Sequence, residues 1–297
     1  MLMAENEKYI VVHRESFPED GDGIIRIPDG VKEIAENAFR DREGIKEVYI
    51  PSSVVSVGAC AFSGCKNLER VVMEAGIEQI LDEAFSGCIS LKGITVPDTV
   101  KRIGEGCFEG CVSLTRVKLS ESIYMIGSGA FAFCFNLTHI EIPDSCVLVE
   151  FNAFASCFAL ESVKLSDNMG LIDESLFEGC RSLEEVSLPI RLKTISRRAF
   201  FGCSSLKSVI LPVGVEKVML DAFGECTSLK RIAIPKGVKE LEDADVFTGC
   251  DSLCEISYGG NEDGWRYLLR GNELSFRRTD LTLSVPKIIF MDIKDEV

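Results

Sequence analysis

The sequence predicts a β-rich solenoid of about ten coils, each 23 residues long, stacked on a parallel sheet and capped at both ends. Three registers predict it. Phenylalanine recurs at Phe39, Phe62, Phe85, Phe108, Phe131, Phe154, Phe177, Phe200, Phe223 and Phe247, every step 23 residues except the last, which is 24. Cysteine follows three residues later in nearly every copy, from Cys65 to Cys250. A third register runs from Ile45 through Leu68, Leu91 and Leu114 to Leu253. A repeat this short cannot bury its apolar residues alone. Stacking turns each residue type into a continuous internal ladder.

The working consensus is A-F-x-G-C-x-S-L-x-x-V-x-L-P-x-x-V-x-x-I. Its segment L-x-x-V-x-L, as in LKSVIL (206–211), alternates and is rich in β-formers, so it reads as a short strand. Proline at 51, 97, 143, 189, 212 and 235 ends that strand. The segment V-x-x-I, as in VKRI (100–103), begins a second short extended or turning side. A-F-x-G-C reads as a tight turn or one helical turn, where glycine suits a positive φ or close packing between coils. Parallel strands stack about 4.8 Å apart, so ten coils span roughly 50 Å. Residues 1–30, with KYIVV and GIIRIP, are expected to cap the solenoid of residues 31–258. Residues 259–297, with Trp265 and LTLSVPKIIFMDI, are expected to cap its other end, because bare sheet edges invite edge-to-edge association.

These residues resemble the BspA-like (Treponema pallidum-type) leucine-rich repeats of gut and oral bacteria and some protozoa. The resemblance covers about residues 24–258. ISYGGNEDGWRYLLRGNE (256–273) is similar to the Y-x-G-x-x-x-x-W segment that often closes such arrays. The resemblance implies a β-rich leucine-rich-repeat solenoid. It also implies a bacterial surface protein used in adhesion or host contact.

Composition excludes several classes. A formal charge of −15 repels nucleic acid and anionic membrane surfaces. No run of 18 apolar residues is present to insert into a membrane. The opening MLMAENEKYIVVHRE lacks the basic and apolar regions of a secretory leader, so a cytoplasmic location is expected, or the cell surface if a leader lies outside this chain. The thirteen cysteines fall mostly one per coil rather than in C-x-x-C pairs, which argues against a metal site. Stacked coils give parallel Cβ vectors, a poor disulfide geometry. The ladder therefore reads as free, buried core thiols in a reducing compartment, with Cys60, Cys107, Cys146 and Cys254 off the ladder.

No catalytic residue, metal site or cofactor site is expected. EDGDG (19–23) starts like a calcium loop, but Ile24 and Val31 stand where it needs ligands, so it reads as a turn. His139, Glu141 and Ser162 resemble a hydrolytic set without a nucleophile elbow or an oxyanion loop. The expected function is a non-enzymatic protein–protein interaction scaffold, or alternatively a surface adhesin. Its partner would be a protein or peptide, and weak self-association is allowed.

Two surfaces are candidates for that contact. On the strand face, Arg116, Lys118, His139 and Lys164 stand against Glu141, a locally basic patch fit for an acidic peptide or glycan. The other is apolar. The residue after the ladder cysteine is Lys66, Arg181, Ser204, Thr227 or Asp251 in most coils, but Ile89, Val112, Phe135 and Phe158 in four consecutive ones. The gap positions of V-x-x-I change in the same region, from Lys101 and Arg102 to Tyr124 and Met125, then Val147 and Leu148. Phe133 and Phe151 add to the group. Such a stack is either a contact surface or a wider stretch of core.

Overall fold

The computed structural model describes residues 10–16, 23–242, 245–269 and 285–291. Each coil lays one strand of three or four residues on a first face and a strand of two to four on a second. First-face strands run from Ile24–Arg26, Glu47–Ile50 and Arg70–Met73 to Glu255–Tyr258. Second-face strands run from Val31–Ile34 and Ser56–Val57 to Glu240–Leu241. Strands pair in parallel with the equivalent residue one coil on, as Val48 with Val71 and Met125 with Leu148. The expected stack of coils is thus the observed one, with the V-x-x-I strands forming a second face in sheets of seven and four strands. Of EDGDG, all but Gly23 lies outside the described residues.

At the ends, Ile10–Val12 pairs with Val31–Ile34, and Lys287–Phe290 pairs with Glu255–Tyr258. The helix Glu262–Leu268 starts where the Asn261 side chain accepts from the Gly264 N–H. It buries Trp265, whose ring lies 5.3 Å from that of Tyr258.

The A-F-x-G-C segment is a hydrogen-bonded turn, and alternate N–H groups in it reach the next coil. Asn37, Phe39 and Asp41 donate to the carbonyls of Ala59, Ala61 and Ser63. This third ladder satisfies backbone that the phenylalanine side chain has pulled away from water. Two residues per turn have a positive φ. One lies two before the Phe, such as Asn37 at 58°, and one lies two after it, such as Gly64 at 72°.

All ten ladder phenylalanines are fully buried, with adjacent ring centroids from 4.9 Å (Phe39–Phe62) to 6.1 Å (Phe223–Phe247). The cysteine ladder packs beside them and has a polar task that its spacing does not disclose. The Cys65 Sγ donates to the Phe39 carbonyl at 3.1 Å, and the pattern repeats coil by coil to Cys250 and Phe223 at 3.0 Å. Each thiol satisfies a buried oxygen of the preceding coil. Burial pushes Cys65, Cys111 and Cys157 up to about 12, which keeps the donating proton in place.

Eleven of the cysteines are buried, Cys60 is half-buried and Cys254 is exposed. A thiol reagent is expected to label about two cysteines in the native protein. Under denaturing, non-reducing conditions it should label nearly all thirteen. Several missing thiols after denaturation would mean disulfides, and an oxidising compartment.

Candidate functional site

The site is best built from the position after the ladder cysteine. In coils with a polar residue there, the side chain ties coils together. Lys66 pairs with Glu43 at 2.7 Å, one coil back. The same 23-residue step pairs Lys92 with Glu69, Lys101 with Glu78 and Lys239 with Glu216. Exposed pairs of this kind are worth about 0–1 kcal/mol each, so they lace the surface rather than hold the fold.

Between Lys66 and Arg181 the lacing gives way to hydrocarbon. Ile89 is 42% exposed, while Val112, Phe135 and Phe158 are half-buried. The Phe135 and Phe158 rings stack with centroids 4.8 Å apart and planes 1° from parallel. The Arg181 guanidinium lies over Phe158, 4.7 Å from its centroid, and closes the row. This second stack differs from the core ladder because it runs along the surface. The ladder rings beside it, Phe131 and Phe154, have no exposure at all.

On the second face, Tyr124, Val147 and Leu148 are exposed and Met125 is half-buried. Met125 pairs in the sheet with Arg102 on one side and Leu148 on the other. The apolar residues thus occupy a gap between Lys101 and Lys193, each of which pairs with a glutamate. Phe133 joins the first row, its ring edge-on to Phe135 at 6.2 Å. It sits at a φ of 60°, where six other coils have glycine at 67–74°. That is a strained conformation for a bulky residue. Phe133 and Phe151 are 43% and 49% exposed.

The strand face places Arg116, Lys118, His139, Glu141 and Lys164 all outward and exposed, as strand alternation requires. Among the described residues, Arg116, Lys118 and Lys164 have no ion-pair partner, unlike most lysines elsewhere. Two shallow depressions adjoin there. One, of about 850 Å³, includes Arg70, Gly93, Arg116 and Lys118, and the other, of about 520 Å³, includes His139, Glu141 and Lys164. Gly93, paired with Arg116, puts no side chain between Arg70 and Arg116.

His139, Ser162 and Glu141 do come together. The His139 Nδ1 lies 2.8 Å from the Ser162 hydroxyl, and its Nε2 lies 3.5 Å from Glu141. The trio stands open to water on a flat sheet, with the His139 and Glu141 side chains 50% and 65% exposed. Backbone N–H groups around it are committed to the parallel ladder, so they form no oxyanion hole there. Among the described residues no group of three or more His, Cys, Asp or Glu is placed to hold a metal, and no helix is long and apolar enough to cross a membrane.

The model of the BspA type leucine rich repeat region matches residues 17–134, 78–200 and 171–263, six copies in all. No curated protein matches the chain. Solved structures similar to it include a leucine rich cell surface protein from Faecalibacterium prausnitzii A2-165, 25% identical, covering 84% of this chain and 91% of that one, TM-score 0.45. A leucine-rich repeat protein from Bacteroides ovatus is 22% identical over 90% and 92% of the two chains, TM-score 0.43. The T. pallidum leucine rich repeat protein is 24% identical over 74% and 82%, TM-score 0.41. The matched repeats span most of the solenoid, and the chain belongs to the BspA-type leucine-rich repeat family.

Proposed function

We propose that the protein is a non-enzymatic scaffold that binds a protein partner through the apolar surface of coils four to six. The observation that carries this reading is the surface ring stack of Phe135 and Phe158, continuous with Val112 and Ile89, on a surface otherwise laced by ion pairs. Covering an exposed apolar side chain gains about 1.5–3 kcal/mol. Phe135 and Phe158 are half covered already, so each gives less. Association costs an estimated 4–15 kcal/mol. The row alone therefore supports a weak contact, and Tyr124, Met125, Val147 and Leu148 extend it. An acidic segment of the partner would sit on Arg116, Lys118 and Lys164, strand-face cations that have no ion-pair partner among the described residues. The caps expected within 1–30 and 259–297 would act through their paired strands Ile10–Val12 and Lys287–Phe290.

Phe135→Asp combined with Phe158→Asp tests this. Partner capture and concentration-dependent light scattering should fall while the melting temperature moves by less than about 3 °C, the scale of roughly 1 kcal/mol in a chain of this size. An unfolded or insoluble double variant would show that the rings serve as core instead. A cell-surface placement is the second reading, favoured by the family membership, and surface labelling of intact cells decides it.

A further inference from the structure

A groove of about 490 Å³ crosses the turn side of the coils, lined by Glu105, Glu109, Gly129, Phe133 and Phe151 and reaching Glu178. The molecule itself shows what such a place holds. Three coils further on, Glu174 and Glu178 occupy the positions of Glu105 and Glu109, and Arg198 occupies that of Gly129. There the Arg198 guanidinium grips the Glu178 carboxylate with two hydrogen bonds, Nη2 to Oε1 at 2.6 Å and Nε to Oε2 at 3.1 Å. Its Cζ also lies 4.0 Å from the centre of the Phe201 ring. Carboxylate, guanidinium and ring form one sandwich.

In the groove the carboxylates and a ring are present and the arginine is not encoded. Gly129 has a φ of 60°, close to the 55° of Arg198, so the backbone is already in the conformation that carries the arginine. A Cβ on Gly129 would meet only the Ala132 Cβ, at 3.9 Å. Phe133 supplies a ring one residue beyond the place of Phe201. Among the described residues no cation or hydrogen-bond donor partners the Glu109 carboxylate. Burial, then the charges of Glu83 and Glu105, hold its carboxyl above the usual range, as for an acid facing acids with no counter-ion.

We propose that this groove binds an arginine side chain of a protein partner, with Glu109 as the bidentate acceptor and Phe133 as the stacking surface. A guanidinium fits both, since its planar fork matches a carboxylate and its face stacks on an aromatic ring. A lysine ammonium offers neither fork nor plane. The site shares the Phe133–Phe135 contact with the Phe135–Phe158 row, which would let one partner engage both.

The test uses the full chain and a short Gly/Ser peptide with one central arginine, beside twins with citrulline or lysine at that place. Binding is followed by NMR titration. The arginine peptide should bind at least tenfold tighter than the citrulline twin, which keeps the shape and loses the charge, and tighter than the lysine twin. Glu109→Gln should weaken it at least tenfold. Gly129→Arg should abolish it, because the new side chain fills the site from within. If Gly129→Arg fails to fold, Glu109→Gln alone decides. Equal binding of arginine and citrulline peptides, no binding of either, or unchanged binding in Glu109→Gln overturns the proposal. Phe158→Asp alone, which keeps the Phe133–Phe135 contact, should weaken capture of a scaffold partner and leave the arginine peptide bound, so failure of the partner-scaffold reading and failure of this site give different results.

Discussion

Phe131→Ala is expected to destabilise the protein by about 3–5 kcal/mol, the usual loss for truncating a fully buried phenylalanine. The ring has no exposure and lies between Phe108 at 5.2 Å and Phe154 at 5.4 Å. Its removal opens a gap in a continuous stack. Neighbouring coils can close on it only by breaking the N–H ladder of the turn, in which the Phe131 N–H reaches the Ala153 carbonyl at 2.8 Å. Coils contact only their neighbours, so the damage should be local. Hydrogen exchange should rise most within residues 108–157 and little near either end. An even rise along the chain would contradict nearest-neighbour stability in this solenoid.

The one-dimensional build explains why so much of the fold is legible in the residues alone. The Phe, Cys and Leu spacings determine the coil, because a residue recurring every 23 positions meets its own kind one coil on. Strand alternation likewise places Arg116, Lys118, His139, Glu141 and Lys164 outward. The apolar residues at Ile89, Val112, Phe135 and Phe158 stand out as a break in a polar pattern. Their half-burial does not, since it depends on Phe135 lying flat against Phe158 under Arg181. Contacts that skip within the repeat are also hidden. The Cys65 proton goes to Phe39, 26 residues back, and Arg198 reaches Glu178 over 20. Neither step equals the period, so only the coil's path in space reveals it.

On the proposed reading, the two stacks of rings let one repeat serve two purposes. In the core ladder the ring is held by its own turn, and every coil must keep it. After the cysteine the side chain meets water, and the chain is free to place lysine, serine or phenylalanine there. Apolar residues appear at that position only in four adjacent coils, and the V-x-x-I gaps turn apolar in the same stretch. Fold stability does not require this coincidence, since the remaining coils are built without it. A contact does require it, because a partner needs its apolar surface contiguous.

Stability is expected to fall steeply once the pH passes 9, and the cysteine ladder sets the direction. Cys65, Cys88, Cys111, Cys134, Cys157, Cys180, Cys203 and Cys226 are all held above their ordinary value by burial, three of them up to about 12. In the unfolded chain a thiol ionises near 8.5–9. Between about 9 and 12, then, the unfolded state has lost protons that the folded state keeps. The state binding fewer protons gains as pH rises, so folding weakens across that window and is fully supported below it. Each such thiol contributes a slope of about 1.4 kcal/mol per pH unit. These eight, with the off-ladder Cys107 and Cys146 that burial also raises, give on the order of 10 kcal/mol per unit, comparable to the 5–15 kcal/mol that holds an ordinary domain. The melting temperature should therefore be nearly flat from pH 7 to 8, drop from about 9, and reach room temperature by roughly pH 11. Apart from the accessible Cys60 and Cys254, thiolate absorbance should rise together with the loss of structure, not ahead of it, because the folded ladder withholds its protons. Lysines and tyrosines titrate in the same range, and Cys111→Ala with Cys134→Ala separates them. That variant starts less stable, but its stability should fall with pH on a slope shallower by about a fifth. An unchanged slope would assign the alkaline loss to the surface ion pairs and leave the thiols as passive filling.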